Sequence, residues 1–298
     1  MKYKINETVL NIMEAGVENY HKSRPTLVFL HYFGGSSRAW TEVIERLAKD
    51  FHCVAPDLRG FGASDALSTA ENFAVKDYAD DIECLIRVLT IENYVLIGHS
   101  MGGKIALALA ARQPEGLQSL ILLAPSPPSP EPIKEETRAK QLASHGNRCV
   151  ATETICQAAG GKLCGASFES AINDSLRTSE AAWKWWLESG SLEDISSEVG
   201  QINVPVLIAA GEKDEAMTPK LLKNEIVRPI ENARLVVVAE GKHLLPLEAP
   251  EKIADLIREH CENRVKDDDE SFNKSNDTES KFYGGTGKQT IIERTTIR

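Results

Sequence analysis

The chain has 298 residues, 42% of them hydrophobic and 26% charged, an ordinary globular balance with enough length to bury a sizeable core as one large domain or two small ones. Its 44 acidic and 34 basic residues leave a net charge of −10, which argues against general binding to nucleic acid or to an anionic membrane. No stretch approaches the roughly 18 apolar residues that span a bilayer, and the first residues lack the apolar run of a signal peptide. The six cysteines show no C-x-x-C pair and no zinc-like spacing, so a cytoplasmic protein with free thiols, no metal and no membrane span is expected.

The segment before Pro25 has room for an antiparallel hairpin, with residues 8–13 as its clearest strand. Residues 26–31 and 51–56 read as strands. Between them, His31-Tyr32-Phe33-Gly34-Gly35-Ser36 is a loop past a strand end. Residues 75–89 predict a helix, with Tyr78, Ile82, Leu85, Ile86 and Leu89 near helical spacing. A strand at 94–97 feeds Gly98-His99-Ser100-Met101-Gly102-Gly103, and a helix-friendly stretch, 104–112, follows at once. Residues 117–123, 204–210 and 234–239 are further strands, and 250–259 reads as a closing helix with Ile253, Leu256 and Ile257 on one face. Strands apolar on both faces and separated by helices imply a mostly parallel central sheet flanked by helices, an α/β fold.

The pattern changes between Pro125 and about Val204. The run Ser126-Pro127-Pro128-Ser129-Pro130-Glu131-Pro132 breaks regular structure, and about 60 mostly helical residues follow, holding three of the four tryptophans, Trp183, Trp185 and Trp186. We read residues 126–200 as a helical cap inserted between core segments 1–125 and 201–262. Its tryptophans either pack the cap onto the core or line an apolar substrate pocket, for which Tyr32, Trp183 and Trp186 are the candidates. Residues 263–298 are polar and predicted disordered, although the last ten are strand-prone enough to add to a sheet edge or a partner.

The chemistry centres on Ser100. Gly-x-Ser-x-Gly alone arises by chance about 0.1 times in a chain of this length, but a strand before it and a helix after it give the motif meaning: the hydroxyl then stands on a sharp turn at the positive end of a helix. A serine hydroxyl is a poor nucleophile at neutral pH; it needs a base, and the base needs an acid to orient it. On such a sheet the chain order is serine, acid, histidine. His243 and His260 both lie downstream. His260 falls at the end of the predicted closing helix, next to Glu259 and facing solvent, whereas His243 follows a strand in a loop, so His243 is the predicted base. Asp214 follows the strand at 204–210 and is the predicted acid, with Glu212 and Glu215 as neighbours that could replace it. The 29 residues from Asp214 to His243 allow one helix and one strand, returning the chain to the same sheet edge. An oxyanion needs donors, for which the backbone N–H groups of Met101 and Phe33 are the candidates.

These residues together resemble the α/β-hydrolase superfamily, in its compact capped members, over roughly residues 25–262. The resemblance rests on five motifs in order: a His-Gly-x-x-Gly-like loop at His31 to Gly35, Asp57-Leu58-Arg59-Gly60-Phe61-Gly62-Ala63-Ser64, the serine turn, Gly211 to Asp214, and Gly241 to His243. It implies a Ser100–His243–Asp214 triad and a Phe33/Met101 oxyanion hole. One position departs: the usual glycine after the first histidine is Tyr32, whose side chain narrows the pocket or alters the loop. Haloalkane dehalogenases and soluble epoxide hydrolases of this fold carry aspartate where this chain has Ser100, so serine points to esters, lactones, thioesters or activated C–C bonds.

The expected function is a serine hydrolase that cleaves carboxylic esters of small to medium size through an acyl-enzyme, with no metal or organic cofactor. A C–C bond hydrolase or lactonase keeps the same chemistry on another substrate. A non-catalytic ligand-binding member of the fold is the rival from another class, and it would tend to have lost a triad residue. Oligomeric state is not encoded in any motif found.

Overall fold

The computed structural model describes residues 1–20, 24–66, 73–161 and 163–262. Eight strands form one sheet in the order β1-β2-β4-β3-β5-β6-β7-β8. A hairpin of β1 (Lys2–Ile5) and β2 (Thr8–Ala15) opens the chain, and β2 runs antiparallel to β4 (Cys53–Pro56). From β4 onwards β3 (Thr26–Leu30), β5 (Tyr94–His99), β6 (Leu117–Leu123), β7 (Val206–Gly211) and β8 (Ala233–Val238) are all parallel. Every residue of β3, β5 and β7 is buried, which accounts for their unbroken apolar runs: both faces are covered. The edge strands β1 and β8 alternate with solvent instead.

Chain reversal of the sheet order occurs at β3, which has β4 on one side and β5 on the other. In open α/β sheets the crevice beyond the carboxyl ends of such strands is where ligands bind. The loops after β3, β5, β7 and β8 all emerge at that edge, because the parallel register pairs Leu30 with Gly98, His99 with Leu123, Leu123 with Ala209 and Gly211 with Val238.

Helix α1 (Thr41–Leu47) follows the β3 loop, and α2 (Val75–Val88) precedes β5. Helix α2 buries Tyr78, Ile82, Leu85 and Ile86, four of the five positions whose spacing predicted it, while Leu89 is its C-cap. Helix α3 (Met101–Ala111) differs from an amphipathic surface helix: all eleven residues are buried, Lys104 included, since α3 lies against the sheet. Gly102 permits this approach, because a Cβ there would stand 2.5 Å from the Leu30 carbonyl oxygen and 2.7 Å from that of His31.

Four helices lie between β6 and β7: α4 (Glu135–Leu142), α5 (Arg148–Ala158), α6 (Gly165–Arg177) and α7 (Glu180–Glu188). Asn147 caps α5 and Ser179 caps α7, each side chain accepting first-turn N–H groups. Trp185 is 4% exposed and stacks on Tyr78 at 4.8 Å, so this tryptophan ties α7 to α2 of the core. Among the described residues no helix is long and apolar enough to cross a membrane.

The chain divides into two compact units, Met1–Asp255 and Leu256–Arg298. In the second, residues 256–262 are helical, and His260 is only 5% exposed. This corrects the expectation that His260 faces solvent: its ring lies on the buried side of a helix that also buries Ile257 and Cys261. The tail from 263, with its strand-prone last ten residues, lies outside the described residues.

Candidate active site

Strand β5 ends at His99, and Ser100 turns the chain into α3 with φ 52° and ψ −117°. A non-glycine residue at positive φ is strained by about 1–3 kcal/mol and persists only where its surroundings hold it. Here they do. The Ser100 N–H donates to the Leu123 carbonyl at 3.1 Å, and the Ser100 carbonyl accepts from Gly103 N at 2.8 Å and Ser126 N at 3.0 Å. Gly98 allows the helix to start so close to its strand, since a Cβ there would meet the Gly102 carbonyl oxygen at 2.5 Å.

Beyond the turn, the Ser100 hydroxyl stands 2.9 Å from His243 Nε2, and His243 Nδ1 stands 2.8 Å from Asp214 Oδ2. The carboxylate accepts the Nδ1 proton, which leaves Nε2 free to accept from the serine. Asp214 has its other oxygen, Oδ1, occupied by the N–H groups of Ala216 and Met217, both at 2.9 Å. It is therefore held in one orientation at 5% exposure.

Electrostatics match the geometry. Burial pushes the Asp214 carboxyl up, but the hydrogen bond and charge of His243 and the two amides outweigh it and hold the group below the usual carboxylate value. Burial pushes the His243 imidazole down, but the Asp214 hydrogen bond and charge, with Glu131 and Glu248 adding, outweigh it and raise the ring above an ordinary histidine. The other sequence candidates for the acid stand elsewhere: Glu212 accepts from the Glu240 N–H at 3.0 Å, and Glu215 is exposed.

The two amides singled out as oxyanion donors lie on the turn that carries Ser100 and on the loop after β3. Met101 opens α3, so its N–H has no intrahelical acceptor. Phe33 lies in the loop after β3, whose shape is set by Gly35 N donating to the Tyr32 carbonyl at 3.0 Å and by Gly34 at φ 79°. His31 braces the same loop, its Nδ1 donating to the Tyr32 carbonyl at 2.8 Å while Nε2 accepts from Leu58 N at 3.0 Å.

The Asp57 to Ser64 segment supports this loop from below. Asp57 Oδ1 accepts from Ser37 N at 2.7 Å, and Oδ2 accepts from Ala63 N at 2.8 Å and from Asn11 at 2.9 Å. Gly62, at φ 57°, leaves no room for a side chain: a Cβ would meet the Asp57 carboxyl at 2.4 Å. Arg59 makes two 2.6 Å contacts with Asp81 and lies over the Tyr78 ring.

The three pocket candidates separate. Trp183 packs on the Phe33 ring at 4.7 Å and lines a cavity of about 70 Å³ with Phe33, Val150, Ile155 and Leu176. Trp186 is 3% exposed and stacks on Phe33 at 6.2 Å from outside that lining. Tyr32 folds its ring against Gly35 and the His99 ring, and it borders a different cavity of about 190 Å³ with Arg38, Asp174 and Leu247. The side chain that replaces the usual glycine is thus buried at 5% exposure, its hydroxyl pushed well above an ordinary tyrosine by burial first and by Asp174 second.

Three groups near the serine carried no signal in the sequence. His99, read only as the variable position of the motif, is fully buried and hydrogen-bonded to the His243 backbone. Lys104 is fully buried and donates to the Ser129 carbonyl at 3.3 Å. Glu131 is 7% exposed, raised above the usual carboxylate value by burial, and close enough to His243 to act on it electrostatically. Periodicity could not flag them, since each lies in an apolar run or a proline-rich breaker. Among the described residues no cluster of three or more His, Cys, Asp or Glu side chains is arranged to hold a metal ion.

A mostly parallel sheet with a serine on a strained strand-to-helix turn defines a protein of the α/β-hydrolase fold. Residues 25–153 match the family model described as alpha/beta hydrolase fold. The Bacillus subtilis protein "AB hydrolase superfamily protein YisY" is 30% identical over 271 residues, covering 81% of this chain and 92% of that protein. A second B. subtilis protein, "AB hydrolase superfamily protein YfhM", is 29% identical over 288 residues, covering 87% of this chain and 96% of its own length. Among solved structures, an esterase from Exiguobacterium antarcticum superposes with a TM-score of 0.79 at 20% identity, covering 88% of this chain and 99% of that one. The chain belongs to the α/β-hydrolase superfamily.

Proposed function

We propose that this protein is a serine hydrolase that cleaves carboxylic esters of small to medium size through an acyl-enzyme. The observation that carries the reading is the 2.9 Å contact between Ser100 Oγ and His243 Nε2, continued at 2.8 Å to a buried Asp214.

Ser100 Oγ attacks the ester carbonyl carbon and passes its proton to His243 Nε2. Asp214 keeps the imidazole in the Nδ1–H tautomer and stabilises the imidazolium that forms. The carbonyl oxygen, now negative, is received by the backbone N–H groups of Phe33 and Met101. Collapse of the intermediate breaks the bond to the alcohol, which leaves with the proton from His243. Water then gives a proton to the same nitrogen and attacks the acyl carbon; collapse breaks the bond to Ser100 Oγ, which takes that proton from His243, and the acid leaves.

The helices from α4 to α7 act as a cap, within residues 126–200, inserted between core segments 1–125 and 201–262. Three contacts support this reading. His243 N donates to the Ala158 carbonyl at the end of α5, at 3.1 Å. Ser36 donates to Asp174 of α6 at 2.7 Å. Phe33, in the loop after β3, packs on Trp183 of α7. The small cavity bounded by Phe33 and Trp183 suits a short apolar acyl or alcohol group.

A fluorophosphonate probe tests the nucleophile, and a panel of p-nitrophenyl esters, thioesters and lactones of graded chain length tests the substrate class. Labelling of the wild type but not of Ser100→Ala, with turnover of short esters, is expected. A wild type that does not label favours a ligand-binding protein, and turnover confined to lactones moves the substrate to that class.

A further inference from the structure

His99 immediately precedes Ser100 at the end of β5, and its imidazole is wholly inaccessible to solvent. Its Nε2 lies 2.7 Å from the backbone carbonyl oxygen of His243. A carbonyl only accepts, so Nε2 carries the proton, and the ring is the Nε2–H tautomer. Nδ1 is buried without a hydrogen-bond partner among the described residues. The ring is wedged between aromatic neighbours, with centroids 5.2 Å from Tyr32, 6.3 Å from Trp40 and 5.5 Å from His243 itself.

This arrangement has a consequence for His243. Its backbone N–H is held by Ala158 at 3.1 Å and its carbonyl by His99 at 2.7 Å, so the peptide units on either side of this loop residue are each anchored. The loop follows edge strand β8, and its other ties are made by the neighbouring residues, the Gly241 carbonyl accepting from Lys213 N at 2.8 Å and Lys242 N donating to Glu248 at 2.8 Å. The anchor on the carbonyl comes from the residue next to the nucleophile, which makes the spacing between Ser100 and His243 a property of one rigid strand end.

We propose that His99 is a positioning residue: its Nε2–H, through the carbonyl of His243, holds the imidazole of residue 243 in line with Ser100 Oγ. The proposal rests on the serine-hydrolase reading above. The ring does this work only as a neutral group, because a second positive charge beside His243 would oppose protonation of the base during attack. Its surroundings keep it so. Burial first, and the neighbouring His243 second, lower the ring to about 3, against smaller opposing effects of the hydrogen bond to His243 and of Asp214. The titratable groups that face His99 are His31 from the end of β3, Tyr32 from the loop that follows it, Asp214 from the loop after β7 and His243 from the loop after β8.

The test compares wild type, His99→Phe and His99→Gln. Phenylalanine fills the space without a donor, whereas glutamine restores an N–H donor on a chain of similar reach. Each protein is followed by the rate of fluorophosphonate labelling at Ser100 and by kcat and KM on p-nitrophenyl acetate from pH 5 to 9, with melting temperature recorded alongside. His99→Phe is expected to lower both labelling rate and kcat by on the order of 10–100-fold with KM little changed, the loss that a misplacement of about 1 Å produces. Its acid limb moves to lower pH, because a loosened His243 loses part of the Asp214 contact that raises it. His99→Gln regains most of the rate and the wild-type limb.

A folded His99→Phe that labels at the wild-type rate with an unshifted limb overturns the inference and leaves the hydrolase reading standing. A wild type that neither labels nor turns over ester overturns both. Should His99→Phe not fold, the ¹⁵N spectrum of the wild-type imidazoles decides: a His99 ring that is charged at pH 6, or protonated on Nδ1, overturns the inference, and a neutral Nε2–H ring supports it.

Discussion

Ser100 Oγ and His243 Nε2 lie 2.9 Å apart although 143 residues separate them in the chain. Neither side chain reaches the other by local structure. The serine is brought forward by a turn at φ 52°, and the histidine by a loop after β8, both at the same edge of the sheet. Their contact depends on strand order, and on amides and carbonyls that pin each backbone.

Removal of the proposed nucleophile tests the contact directly. Ser100→Ala is expected to lower kcat on a short ester by on the order of 10⁴-fold or more. Alanine keeps the same backbone and fills nearly the same volume, so the melting temperature should stay within about 2–4 °C of wild type. Esterase activity within tenfold of wild type would assign the chemistry to another residue.

The acid limb of the pH profile reports His243. As the proposed base, His243 works only as neutral imidazole, and Asp214 raises its affinity for a proton above that of an ordinary ring near 6.5. Activity, read as kcat/KM, is therefore full well above that value and falls as pH drops through a midpoint higher than 6.5. A midpoint at or below 6.5 contradicts the Asp214 contact. The sign for stability is opposite: the bonus from the raised imidazole is present below the unfolded value and is lost as pH rises through the folded one.

Asp214→Asn separates orientation from charge. The amide presents a donor or an acceptor to Nδ1 and permits the wrong tautomer, for which a loss of about 10⁴-fold in kcat is expected. Without the carboxylate, burial, already the largest influence on His243, is opposed chiefly by the weaker Glu131 and Glu248, and the surviving activity should show its acid limb at lower pH than wild type.

Gly102→Ala tests the approach of α3 to β3. The added methyl meets backbone oxygens of Leu30 at 2.5 Å and His31 at 2.7 Å, neither of which can turn aside as a flexible side chain would. A loss of about 1–3 kcal/mol is expected in chemical denaturation. Activity should fall with it, because the same shift displaces Met101 and the His31 loop.

The tryptophans of α7 are expected to divide by role. Trp185→Ala removes a 4%-exposed ring stacked on Tyr78 and should cost about 3–5 kcal/mol of stability. Trp183→Ala enlarges the cavity beside Phe33, so kcat/KM should rise for longer acyl chains relative to acetate, with a smaller effect on stability. Equal selectivity across chain lengths in Trp183→Ala would remove that cavity from the substrate site.

Much of the fold was legible because its signals are local. The apolar runs at 117–123 and 204–210 became β6 and β7 to within two residues, and the spacing of Tyr78, Ile82, Leu85 and Ile86 became the buried face of α2. Proline and serine from 126 to 132 marked where regular structure stops before four helices. Helix α3 was harder, because an alanine- and glycine-rich helix buried on every side has no polar face to set its phase.

What the sequence by itself determined is the serine turn, with glycines that leave no room for Cβ atoms, and the order in which serine, acid and histidine appear. Those follow from backbone sterics and from the alternation of strand and helix, both readable over a few residues. Only the tertiary structure decided that His99 is joined to the backbone of His243, that Tyr32 turns inward, that Asp57 holds the loop carrying Phe33, and that His260 is buried. The first three depend on which distant segments the sheet order sets side by side, and a hydrogen bond across 144 residues leaves no periodic trace in the chain.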